Sequence, residues 1–257
     1  MTDQYVINSA YRTLQVLLAF AAPPHRYSLT ELMTSMDLEK GQLYRSLKTL
    51  EKAGFVRYDS DSRFALTPVV NTLSAAFVGS RHASLVEVAG PFLDELERDT
   101  SELVNLFVLA GDRAVCVDSR ESPHLVRLTS PIGISAPLHA GAVPKAMLAH
   151  LPTTTWDRVL AQLAELPRYT DATELDPGRL RAELETIRQR GYSVSDEDYD
   201  ASARGVGAPI FDATSQVVGG VSVGGPSFRV DDATLDRFAT LITRAARAIS
   251  KTLGHAS

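Results

Sequence analysis

From Ser9 onward, Leu14, Leu17 and Leu18 fall on one face of a helical period, and Pro23-Pro24 stops that helix. In the next stretch, SLTELMTSM, Ser28 and Glu31 have capping-box spacing and open a short helix over Leu29, Leu32, Met33 and Met36. After a break at DLEKG, Leu43, Leu47 and Leu50 make the buried stripe of a third helix, which Gly54 ends from the C′ position. FVRYD, a turn at SDS and RFAL then read as two short strands in a hairpin. Helix, helix, turn, helix and hairpin within about 60 residues is a winged helix-turn-helix pattern.

Thr67-Pro68 has the form of an N-cap with Pro at N1, and it opens a linker helix over Val69, Val70, Leu73, Ala76 and Phe77. Beyond it the pattern is mixed α/β. ELVNLFVLAGDRAVCVDSRES alternates about Gly111-Asp112 as a hairpin, LVRLTS predicts a third strand, and GAVPKAMLAHL predicts a short helix. Asp176-Pro177 begins a helix over Leu180, Leu184 and Ile187 that ends at Gly191. GVGAPIFD and QVVGGVSVG are strands joined by a tight turn, and Asp231 caps a last helix through Leu235, Phe238, Ile242, Ala246 and Ile249. The expected fold class is α+β. Its parts are a winged helix-turn-helix at 1–67 (helix-turn-helix about 28–47, wing about 55–66), a linker or dimerisation helix at 68–80, and an α/β domain at 81–257.

Charge changes this picture. The chain is formally −5, yet residues 1–67 hold eight Lys/Arg against seven Asp/Glu, so the remainder carries 18 against 24. Any polyanion binding must therefore come from a local basic block. That block is KGQLYRSLKTLEKAGFVRYD. On the third helix Lys40, Gly41, Gln42, Tyr44, Arg45, Lys48 and Thr49 lie opposite the leucine stripe, with Thr30 on the helix before and Arg57 and Arg63 flanking the wing. Long donors, an amide able to bridge adenine and a planar ring suit a major-groove helix. A plain solvated face is the bland alternative, and the capped helix, short turn and wing favour DNA.

The longest apolar run, LQVLLAFAA, is too short to span a bilayer, and no basic flank with a cleavage site precedes it, so a cytoplasmic location with no membrane partner is the default expectation. Cys116 is the single cysteine, which excludes an internal disulfide or a cysteine metal cluster, and its flanks suggest a buried strand residue.

The segment SLTELMTSMDLEKGQLYRSLKTLEKAGFV is similar to the helix-turn-helix of the IclR family of bacterial transcriptional regulators. So are PLHAGAVPKAMLAHLP and RGYSVSDEDYDASARGVGAPIFDATSQVVGGVSVGGP, which resemble its two C-terminal signatures. Where relatives often carry Ser-Thr early in the recognition helix, this chain has Gly41-Gln42. The resemblance implies a GAF-like effector-binding domain, a homodimer or dimer of dimers, a near-palindromic double-stranded operator and a small organic acid effector, with no cofactor. Carried over by position, it implies effector contacts at Leu138, Gly141, Ala142, Val143, Met147, Ser195, Gly205, Ser222 and Gly224. Relatives that bind small keto acids tend to have Asp, Cys and Ser where this chain has Ser195, Gly205 and Gly224, so a roomier and less acidic pocket for an aromatic or longer acid is expected. Its anion would sit at the amides of residues 141–143, where a helix N-terminus favours negative charge; Pro144 supplies no N–H.

Three other chemistries have partial signals in the chain. GVSVG around Ser222 fits the hydrolase elbow G-x-S-x-G, but helix breakers follow it, and the only later histidine is His255, in a tail expected to fray. An enzyme or sensor whose winged helix makes only protein contacts is the alternative function. His139 reads as a structural histidine, the DEDYD acids at 196–200 as solvated, and His82, His124 and His150 lack paired zinc-ligand spacing, so no metal site is expected.

Overall fold

The computed structural model describes residues 6–21, 24–36, 38–70, 72–73 and 81–256. The chain forms two compact units, Met1–Ser80 and Arg81–Ser257.

In the first unit α1 (Asn8–Ala19), β1 (Arg26–Tyr27), α2 (Leu29–Ser35), α3 (Lys40–Lys52), β2 (Val56–Tyr58) and β3 (Phe64–Leu66) follow in order. The Ser28 side chain accepts from the Glu31 amide and Glu31 accepts from the Ser28 amide, so the capping box is closed in both directions. Leu43, Leu47 and Leu50 are buried with Val16, Phe20, Tyr27, Leu32, Val56 and Phe64 in one core. Gly54 ends α3 at φ 82°, where a side chain would be strained. The hairpin gains a third strand that the pattern does not reveal, in the order β1-β3-β2, because β1 is only two residues long.

The face predicted for α1 holds only at Leu17, which packs against the core. Val16 and Phe20 enter the core, whereas Leu14 and Leu18 are 55% and 63% exposed. Both pairs are spaced four apart, so periodicity alone cannot choose between the two stripes. Most of the predicted linker helix lies outside the described residues. At its start the Thr67 hydroxyl accepts from the Val69 amide at 3.2 Å, as an N-cap should.

The second unit contains α4 (Arg81–Thr100), β4 (Leu103–Ala110), β5 (Arg113–Arg120), β6 (Ser135–Pro137), α5 (Ala142–His150), α6 (Thr153–Ala161), α7 (Pro177–Arg190), β7 (Ser193–Asp196), β8 (Ala203–Phe211), β9 (Val217–Pro226) and α8 (Asp232–Thr252). A six-stranded antiparallel sheet runs β6-β5-β4-β9-β8-β7. Alternation divides its residues between two cores. Val206, Ala208, Ile210, Val221 and Val223 pack with α4 and α8. On the other face α5, α6 and α7 build a second core around Met147, Trp156 and Leu184. Asp176 and Asp231 cap α7 and α8 by accepting from the Arg179 and Thr234 amides at 2.8 Å.

Two expectations fail here. LVRLTS is not a strand: residues 125–130 join no strand ladder, with Leu125 97% exposed, and the strand beside β5 is β6 instead. His255 does not fray, because its ring stacks on Phe211 at 5.0 Å and its amide donates to the Ser250 carbonyl. The pattern also does not single out α4, which Gly90-Pro91 interrupts, nor the short α6 and β7.

Candidate nucleic-acid interface and effector cavity

On α3, Lys40, Gly41, Tyr44, Arg45, Lys48 and Thr49 are exposed, as is Thr30 on α2, while Gln42 is half-buried. Among the described residues Lys40 and Arg45 have no ion-pair partner, which leaves two free cations near the start of the helix. Lys48 is held by Glu51 one turn on, and this partner raises its pKa. On the wing Arg57 pairs with Asp59 at 2.8 Å and stays mostly exposed. Arg63 behaves otherwise than expected. It grips both Glu31 oxygens at 2.8 Å and donates to the Arg26 carbonyl, so its guanidinium ties the wing to the capping box instead of standing free for phosphate. The Arg63 bonds and the cap amide together lower the Glu31 pKa, the Ser28 backbone bond being the largest cause.

In the second unit the strand register builds the floor of a cavity of about 360 Å³. Ser195 pairs with Gly205, Gly205 with Gly224 and Gly224 with Leu103, making one row across four strands; two residues along, Gly207, Ser222 and Asn105 make the next row on the same face. Gly141 at φ 87° turns the chain into α5, whose first residues Ala142, Val143 and Pro144 form the wall. Gly207 lets α5 settle directly on β8, since a Cβ there would lie 2.6 Å from the Val143 nitrogen.

Gly141, Ala142, Val143, Ser195, Gly205, Ser222 and Gly224 thus come together at one cavity. Leu138 and Met147 do not. Both are buried in the second core, with Trp156 and Leu184, and neither lines the cavity. Sequence reasoning missed Asn105, Arg127, Leu128, Tyr199 and Arg204, which also line it. Arg204 is tied to Asp196 and Asp232 at 2.7 Å, so of the two lining guanidiniums Arg127, bonded among the described residues only to Glu121 and the His124 carbonyl, is the less committed. The Tyr199 ring lies tilted against Tyr169 at 4.5 Å, and Tyr169 stacks on His139 at 6.0 Å; burial raises both phenol pKa values.

Three details revise the expected pocket. Asp198 is buried, not solvated: Lys145 approaches it at 2.6 Å, and Ser195 Oγ donates to it. A carboxylate therefore persists beside Ser195, neutralised by lysine. Asp198 also accepts from the Gly141 amide at 3.3 Å, so of the three amides only those of Ala142 and Val143 have no acceptor among the described residues. Finally, Gly205 adds no room, since a Cβ there would meet the Val223 carbonyl oxygen at 2.6 Å; the strands have closed on it. Gly224 is looser, at 3.4 Å from the Arg204 carbonyl oxygen.

Other candidate chemistry resolves simply. Ser222 lies mid-strand in β9, which continues to Pro226, so no helix starts after it as a nucleophile elbow requires. Burial pushes the Cys116 thiol up to about 11. His139 Nε2 bonds the Pro167 carbonyl at 3.0 Å, and burial lowers its pKa. Among the described residues no three His, Cys, Asp or Glu side chains group as a metal site, and no helix is long and apolar enough to cross a membrane.

Both units resemble domains of known proteins. Residues 9–60 match the IclR helix-turn-helix domain and residues 79–251 the bacterial transcriptional regulator IclR C-terminal domain. The chain is 30% identical over 251 residues to the transcriptional repressor IclR of Escherichia coli K12, covering 96% of this chain and 90% of that one. The crystal structure of Thermotoga maritima IclR superposes with a TM-score of 0.75 at 26% identity, covering 97% of this chain and all of the other. An IclR homolog from Microbacterium hydrocarbonoxydans complexed with 4-hydroxybenzoate shares the fold at 21% identity and a TM-score of 0.73, covering 95% and 98%. The chain belongs to the IclR family of bacterial transcriptional regulators.

Proposed function

We propose that this regulator is a cytoplasmic repressor, that it binds a near-palindromic duplex operator as a homodimer or dimer of dimers, and that a small organic acid held in the 360 Å³ cavity controls its affinity. An aromatic acid fits better than a two- or three-carbon keto acid. The observation that carries this is the sheet register. Ser195, Gly205 and Gly224 form a floor without long side chains, flanked by Leu128 and Tyr199, which suits a flat apolar ring. The acid's carboxylate sits at the Ala142 and Val143 amides, at the positive end of α5. The fold neighbour complexed with 4-hydroxybenzoate is consistent with this size class.

The α3 face and Arg57 supply the DNA contacts, with Lys40 and Arg45 as the uncommitted cations. Two heads must meet half-sites about 34 Å apart, or a multiple of that, so a small change in their spacing alters affinity. Support for the dimer comes from α1, where Ile7, Tyr11, Leu14 and Leu18, spaced four, three and four, form an apolar stripe open to solvent. Calorimetry tests the effector class: a hydroxybenzoate should bind the chain more tightly than glyoxylate or pyruvate. Tight glyoxylate or pyruvate binding with no response to any hydroxybenzoate would overturn the aromatic assignment.

A further inference from the structure

A second cleft, of about 310 Å³, lies where the ends of α5 and α7 meet β8 and the C-terminal half of α8. It shares no lining residue with the first cavity. Arg188, Arg190 and Arg247 open into it together with His150 and His255, and no Asp or Glu among the described residues lines it. This is a concentration of cations in the part of the chain where acids outnumber bases by 24 to 18. None of the three arginines has a carboxylate partner among the described residues.

Two of the guanidiniums are fixed in place. Arg188 lies over the Trp156 ring at 4.3 Å and donates to the Ala149 and Leu151 carbonyls at 2.5 and 2.7 Å. Arg190 lies over Tyr192 at 4.6 Å and donates Nε–H to the Tyr192 carbonyl at 2.6 Å. A guanidinium carries five N–H donors, so both retain donors beyond these bonds. Compensation of the α5 C-terminus accounts for the bonds that Arg188 makes, and a local bond just past the end of α7 for that of Arg190. Neither accounts for Arg247, which is exposed and has no hydrogen-bond or ion-pair partner among the described residues.

The cleft wall offers an independent sign. The Thr243 hydroxyl is buried there with no partner among the described residues. Neighbouring hydroxyls of α8 back-bond to the carbonyl four residues earlier, as Thr240 does to Asp236 and Ser250 to Ala246. A buried hydroxyl that forgoes this bond costs free energy unless something else fills the position.

We propose that this cleft is a second ligand site, which takes a small multivalent oxyanion, either a phosphate-bearing molecule or a di- or tricarboxylate. Planar guanidiniums match the paired oxygens of both. α5 begins at the first cavity and ends at His150 in the second, and β8 contributes Gly205 to one and Ala208 to the other, so both sites hold the same two elements.

Titration calorimetry of the full chain with sodium pyrophosphate and with citrate, at constant ionic strength, tests this. Binding of at least one of them is expected, about tenfold weaker in Arg247→Gln through loss of a charge-assisted contact and unchanged in Arg45→Ala. Which of the two binds identifies the source of the oxyanion. No heat beyond that of matched sodium chloride for either anion would overturn the proposal. So would binding that survives Arg247→Gln and disappears with Arg45→Ala, which would assign the anion to the DNA-reading helix.

Discussion

Lys145 and Asp198 meet at 2.6 Å with 5% and 9% of their side chains exposed, and through this pair the helix that walls the 360 Å³ cavity is locked to the loop that carries Tyr199. Glu183 holds the same ammonium at 2.6 Å from α7. Burial opposes the lysine charge, but the two carboxylates outweigh it and the pKa is raised. Asp198→Asn keeps Lys145 charged with one partner left. The expected loss is about 3 kcal/mol, at the lower end for breaking a buried pair. Scanning calorimetry of the full chain reads it as a lower transition for the effector-binding unit.

The same pair sets a pH dependence. A group whose folded pKa is raised contributes stability that is fully present below its unfolded pKa, about 10.4 for lysine, and is lost as pH rises through the folded value. Stability should therefore fall on the alkaline side of that point. The fall should be smaller in Asp198→Asn, which has less lysine stabilisation to lose; equal slopes in the two proteins would contradict the assignment.

Gly205 and Gly224 face each other across β8 and β9 but differ in tolerance. Gly205→Cys drives a Cβ into the Val223 carbonyl and should cost about 1–3 kcal/mol, as overpacking does. Gly224→Ser should lie within about 1 kcal/mol of neutral, since a non-glycine residue also restricts the unfolded chain. Urea unfolding of the two variants checks the order.

These contrasts mark what the sequence could convey. The capping box, the leucine stripe of α3 and the strand alternation are local patterns, and they identified the winged helix and most of the sheet. Seven effector positions carried over by resemblance lie at one cavity because the motif preserves register. Lost were features set by distant partners. Asp198 looks solvated within DEDYD until Lys145 is placed beside it, and Arg63 looks free until Glu31 is seen to hold it. Met147, on the right helix, and Leu138, just before it, are buried in the core instead of lining the cavity. α1 offered two stripes of equal period, and only packing against Leu43 and Leu47 selects Val16 and Phe20.

The DNA face separates its arginines by what holds them. Arg45→Ala should abolish measurable operator binding while leaving effector binding intact. Arg57→Ala should weaken binding to all sequences alike and reduce the salt slope by roughly one. Arg63→Ala, which releases Glu31, should lower the thermal stability of the N-terminal unit more than it changes the salt slope. Fluorescence anisotropy over a salt series, beside a melting curve, distinguishes the three.

Leu14→Glu with Leu18→Glu places two charges on the exposed stripe of α1 without touching the core residues Val16 and Phe20. The double variant should remain folded by circular dichroism, shift toward monomer in light scattering at matched concentration, and lose at least about tenfold in operator affinity once two half-sites are no longer read together.

The central claim, an acid-controlled hold on DNA, is tested most directly by anisotropy of the full chain on a duplex selected from a random library, measured with and without a panel of substituted benzoates, glyoxylate and pyruvate. The account predicts a salt-dependent affinity, with a slope of roughly −0.9 per phosphate neutralised, that at least one benzoate shifts by about fivefold or more while glyoxylate and pyruvate leave it unchanged. Failure to select any duplex, or an affinity that glyoxylate or pyruvate shifts and no benzoate does, would contradict it.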